Sequence, residues 1–177
     1  MERDAVLDLA TRRRIHDLVR DYPGLHIREV ARQLGTSVAL VEYHLPFFLD
    51  HGIFEAEQDE RYLRLYLKAE GGAPSPTPKE RRALGVLRSR IPLQVVLFLL
   101  DRGPAKHKDI AEALDLGKSK LSFHLRKLEA AGLVGKTDDG RFQTLRPQRV
   151  TRLLLDYKPT PDTLEEFAEL WLSLYGG

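Results

Sequence analysis

The 177 residues carry 28 Lys and Arg, 26 Asp and Glu and no Cys, for a formal net charge of +2. No disulfide framework, thiolate zinc site or Cys nucleophile can be built without cysteine. An apolar fraction of 42% is enough for buried cores and excludes wholesale disorder.

Residues 1–72 hold 10 basic against 13 acidic side chains, a net of −3. The pattern predicts a helix around Val6–Arg20, helices Ile27–Leu34 and Ser37–His51, and strands near Ile53–Ala56 and Tyr62–Leu67. Arg12, Arg13 and Arg14 are consecutive, cannot share one helix face, and are expected to be mostly solvated. Gly71, Gly72, Pro74, Pro76 and Pro78 then form a short semi-rigid spacer.

Residues 73–158 hold 18 basic against 9 acidic side chains, a net of +9. A block this basic suits phosphate neutralisation. Arg81, Arg82, Arg88 and Arg90 decorate a helix after the spacer. A buried helix is predicted over Leu93–Asp101, a short one over Lys108–Leu114 and a third over Ser119–Ala131. In the third, Leu121, Leu125 and Leu128 repeat at i, i+4 and i+7. Strands Leu133–Lys136 and Arg141–Leu145 flank the turn Asp138-Asp139-Gly140. Val150, Leu153, Leu154 and Tyr157 form a further apolar stripe. Residues 159–177 carry four acids and no Lys or Arg. There Leu164, Phe167, Trp171 and Leu174 recur at helical spacing, the mark of an amphipathic helix.

A shift of 80 residues lays Arg28–Phe54 on Lys108–Val134 without a gap. Ala31/Ala111, Leu34/Leu114, His44/His124, Leu45/Leu125 and Gly52/Gly132 are identical pairs, on the apolar rhythm and the closing glycine. The expected fold is mainly α with small β-hairpin wings: two tandem winged helix-turn-helix domains plus a C-terminal helix. The boundaries read 1–70, a linker 71–78, 79–158, and a tail 159–177.

The run Leu121-Ser122-Phe123-His124-Leu125-Arg126-Lys127-Leu128-Glu129-Ala130-Ala131-Gly132-Leu133-Val134 resembles the recognition-helix signature of ArsR-like winged-helix transcription regulators. The doubled pattern is similar to archaeal tandem winged-helix proteins. The resemblance is specific over 104–146 and looser over 24–67. It implies a DNA-binding fold, often dimeric and often with an effector. Metal sensing does not carry over to a chain without Cys, and no cofactor is expected.

The two third helices differ on their outward faces. In the second half, Lys118, Ser119, Lys120, Ser122, Phe123, Arg126 and Lys127 present cations, hydroxyls and one aromatic. Arg and Lys reach phosphate or guanine, Ser reaches either, and Phe meets a thymine methyl. Arg141 sits beside the tip of the second wing. In the first half the corresponding face is Ala39, Leu40, Tyr43, Pro46, Phe47 and Asp50, with Glu42 beside it and no cation. That copy is expected to have lost groove binding and to form an interface with the second copy, a subunit or a partner. Asp59, Glu60 and Arg61 make a poor DNA wing.

Enzyme readings fail. Gly117-Lys118-Ser119 imitates the end of a P-loop, but Glu112 stands where that motif needs Gly. No two of the six histidines are spaced i, i+4. His44 and His124, at equivalent places, are expected to be satisfied structural histidines rather than ligands.

The sequence therefore predicts a sequence-specific double-stranded-DNA binder, a transcriptional regulator using its second winged helix. It is expected to be a homodimer through Leu164, Phe167, Trp171 and Leu174. The alternative is a tandem winged-helix protein-interaction subunit of a larger assembly. No run approaches the roughly 20 apolar residues of a membrane span, so a cytoplasmic protein without membrane partners is expected. The absence of Asn and the single Met point to a thermophile.

Overall fold

The computed structural model describes residues 2–59, 62–68, 75–159 and 168, with side chains from Asp8 onward. The predicted C-terminal stripe of Leu164, Phe167, Trp171 and Leu174 lies outside the described residues, as do 60–61 at the first wing tip and 69–74 of the spacer. The chain falls into two compact units, Met1–Thr77 and Pro78–Gly177.

Unit 1 runs α1 (Glu2–Asp21), β1 (Leu25–His26), α2 (Ile27–Leu34), α3 (Val38–Asp50), β2 (Phe54–Asp59) and β3 (Tyr62–Leu67). Its sheet is antiparallel in the order β1-β3-β2, one strand more than the hairpin expected from the pattern. The extra strand has only two residues, too few to show alternation. It forms because Gly24, at φ +88°, turns the chain so that its N–H donates to the Leu65 carbonyl at 2.8 Å. A side chain at position 24 would also press on the Tyr66 ring, 3.3 Å from a Cβ.

Helix ends in unit 1 follow local chemistry. His26 Nδ1 accepts from the Glu29 amide at the start of α2, and Gly35 ends it in the left-handed conformation. Ser37 Oγ accepts from the Leu40 amide and caps α3. Within α3, Pro46 is exposed and has no N–H to donate. Ile15 and Val19 of α1 pack with Val30, Val41, Phe48, Phe54 and Leu65. Each such fully buried side chain contributes about 1.5–3 kcal/mol.

The arginine run is mostly exposed, as its pattern suggests, with Arg13 and Arg14 at the surface. Arg14 donates to the Leu34 carbonyl at 2.7 Å, closing the C-terminal end of α2. Arg12 is half-buried, and Arg13 is exposed.

Unit 2 runs α4 (Pro78–Leu87), α5 (Arg90–Arg102), α6 (His107–Ala113), α7 (Lys118–Ala130), β4 (Val134–Lys136), β5 (Phe142–Thr144) and α8 (Pro147–Asp156). Strands β4 and β5 pair antiparallel, Val134 with Thr144 and Lys136 with Phe142. Ala105 exchanges both backbone hydrogen bonds with Phe142, at 2.8 and 2.9 Å, which ties the segment before α6 to the wing. Gly132, at φ +69°, turns the chain out of α7, and the Leu133 amide reaches back to the Leu128 carbonyl.

Leu121, Leu125 and Leu128 are all buried, with Leu93, Val96, Leu97 and Ile110 around them. The stripe Val150, Leu153 and Leu154 on α8 is buried in this same core. It is part of the unit rather than an addition to a finished winged helix. Among the described residues no single helix is long and apolar enough to cross a membrane. The fold is α-rich with small antiparallel hairpins, the winged-helix class.

Candidate nucleic-acid interface

Helix α7 has two faces because its three leucines fall on one stripe. Opposite them Ser119, Phe123 and Arg126 are exposed; Lys120 on the flank and Lys118 in the first turn are exposed too, while Ser122 and Lys127 are half-buried. Phe123 is 48% exposed, high for a large aromatic ring. The Lys127 ammonium sits 5.0 Å from its centroid, within cation–π range. Lys118, Lys120 and Arg126 have no ion-pair partner among the described residues, so their charge is available to an anion.

The amino end of α7 is open as well. Gly117 stands where unit 1 has Ser37, and no side chain caps the first amides. Uncapped N–H groups and the helix dipole favour a negative group there.

A cleft of about 670 Å³ lies between α7, the β4–β5 wing and the start of α6. Lys118, Ser119, Ser122 and Arg126 line it. Lys120, Phe123 and Lys127 lie outside it, so the predicted contact residues divide between the cleft and the exposed helix face. His107 and Lys136 also line it and were missed in the sequence. His107 Nε2 and Ser122 Oγ are hydrogen-bonded at 2.9 Å, so Ser122 is anchored rather than free at the surface. Lys136 is exposed at the end of its strand but shares a face with buried Val134, so strand alternation does not flag it. Nothing local marks His107, because its partner is 15 residues away.

Arg141 is exposed beside the wing tip but already engaged, its Nε 2.9 Å from Asp139. The Thr137 hydroxyl donates to Asp139, and with Arg141 it holds that carboxyl below its ordinary range.

The matching face of α3 carries no cation. Leu40 and Tyr43 are 37% and 66% exposed, with Glu42, Pro46 and Asp50 also outward. Phe47, expected on this outward face, is instead half-buried. The Arg12 guanidinium covers its ring, and Phe48 and His51 pack against it. On the first hairpin, Asp59 binds the buried Arg64 at 2.7 Å, and Arg64 also donates to the Gly24 carbonyl. Asp59 is thus a structural residue.

Among the described residues, the two equivalent histidines leave buried ring nitrogens without a partner. Both ring nitrogens of His44, 1% exposed, lack a hydrogen-bond partner among the described residues, and so does Nδ1 of His124. Asp8 lies 3.9 Å from His44 Nε2, beyond a hydrogen bond. Burial pushes both histidines below their ordinary value; Arg12 adds to this at His44, and Lys127 and Lys120 at His124. No group of three or more metal-ligating side chains occurs among the described residues.

The matched region runs from Leu93 in α5 to Lys136 at the end of β4. Residues 93–136 match the bacterial regulatory protein, arsR family. This ArsR-type segment contains α6, the turn and α7, with every cleft residue named above. Over 141 residues the chain is also 27% identical to an uncharacterized HTH-type transcriptional regulator of Methanocaldococcus jannaschii. The alignment covers 79% of this chain and 34% of the relative, so the chain spans about a third of that relative's length.

Proposed function

We propose that this chain binds double-stranded DNA through unit 2 and acts as a sequence-specific transcriptional regulator. The observation that carries this reading is that Lys118, Lys120 and Arg126 are exposed, with no ion-pair partner among the described residues, on the third helix of the ArsR-type segment. In this reading Lys120, Phe123 and Lys127 meet base edges, and the open amino end of α7 takes a phosphate. The name of the Methanocaldococcus relative, an HTH-type transcriptional regulator, agrees with it. The two halves are read as a duplication in which unit 1 has lost groove binding. The tail is read as a dimerisation helix that brings two recognition helices to half-sites about 34 Å apart. No catalytic step belongs to this reading. A mobility shift of the full chain on genomic duplex fragments at two salt concentrations tests it.

A second reading, a protein-interaction subunit, is favoured by Leu40 and Tyr43 exposed on α3 of unit 1. Full-chain duplex binding with a steep salt slope decides for the first reading.

A further inference from the structure

We propose that the cleft between α6, α7 and the wing is a phosphate seat, in which the His107–Ser122 pair and Lys136 hold one phosphate group. The proposal rests on the duplex-binding reading above for its preferred source of phosphate, and adds residues to it that lie off the exposed face of α7. Three chain segments converge on the cleft. His107 comes from the start of α6, Ser122 from the middle of α7 and Lys136 from the end of β4. Lys118 and Arg126 line the same space, and Glu129 is the one acid among its lining residues. Four cations or imidazoles against one carboxylate leave it attractive to an anion.

The His107–Ser122 hydrogen bond gives the seat its geometry. When Nε2–H donates to Oγ at 2.9 Å, the hydroxyl hydrogen is free to donate to a phosphate oxygen. The hydroxyl is half-buried and anchored across two helices, so little ordering is left for the ligand to impose. Lys136 is a point charge on the wing, its Nζ 5.2 Å from the Phe142 ring centroid. Point charges and hydroxyls in this arrangement bind phosphate without reading a base. The seat therefore fixes where the duplex backbone lies, while Lys120 and Phe123 meet the bases. The same chemistry would accept a free phosphoanion.

The test uses the full chain and the variants His107→Gln, Ser122→Ala and Lys136→Gln, each shown folded by its thermal transition. Duplex affinity is read by fluorescence anisotropy on a selected site and on a mixed-sequence duplex. Inorganic pyrophosphate binding is read by calorimetry. Each variant should lose about fivefold or more, equally on both duplexes, and Lys136→Gln should lower the salt slope by about one. Loss of pyrophosphate binding alone, with duplex affinity kept, assigns the seat to a free phosphoanion. Should the parent not bind duplex at all, the regulator reading fails, and pyrophosphate binding that the variants abolish still upholds the seat. Variants that match the parent with both ligands overturn it, as does a parent that binds neither.

Discussion

The guanidinium carbon of Arg12, on α1, lies 3.9 Å from the centroid of the Phe47 ring, on α3. Thirty-five residues separate them, and their contact covers an aromatic that the helix pattern assigns to the outside. A cation–π contact of this kind is worth about 0.5–2 kcal/mol, depending on burial. Arg12→Ala should therefore lower the stability of unit 1 by about that amount in denaturant titration. Duplex affinity should stay as it is, since Arg12 is engaged by its own chain.

That contact also marks what the sequence could not show. The period of 3.6 in α7 places Leu121, Leu125 and Leu128 inward, and they are buried. The turn residues Asp138-Asp139-Gly140 predict a hairpin, and β4 and β5 form one. These are local signals. Phe47 under Arg12, Ser122 against His107, and the β1 pairing with β3 are contacts between segments distant in the chain. Spacing within one helix says which face is apolar, not whether another side chain covers it. The hydrogen-bond partners expected for His44 and His124 are missing among the described residues for a related reason: pattern shows burial, but a partner must come from somewhere else in the fold.

His44 makes unit 1 sensitive to acid. Its folded-state value is lowered chiefly by burial and also by Arg12, against the opposing Asp8 carboxylate, so the unfolded chain binds a proton at higher pH than the folded one. The stability due to neutral His44 is present above the ordinary value of 6.5 and is lost as pH falls from there towards the lowered folded value. His44→Leu should flatten that loss. Melting temperature of unit 1 against pH, in parent and variant, measures it; parallel curves would refute the assignment.

Leu154 tests the place of α8. It is 3% exposed in the core of unit 2. Leu154→Ala should destabilise that unit by about 2–5 kcal/mol. A change within about 0.5 kcal/mol, as for a surface site, would return α8 to the status of an appendage.

The proposed dimer makes a separate demand on the tail. Deleting 160–177 should convert a dimer to a monomer in light scattering. It should also weaken binding to a two-half-site duplex more than to a single half-site. A full-length chain that scatters as a monomer at micromolar concentration removes the dimer.

Unit 2 is proposed to meet duplex DNA with Lys118, Lys120 and Arg126 of α7. The most direct measurement is the salt dependence of duplex affinity for the full chain and for the triple variant Lys118→Ala, Lys120→Ala, Arg126→Ala. Each cation that neutralises a phosphate contributes about 0.9 to the slope of log affinity against log salt. A steep slope is expected for the parent, and for a folded triple variant a slope lower by about one or more with weaker binding at every salt concentration. An unchanged slope and affinity in the variant, or no salt-dependent duplex binding by the parent, would contradict it.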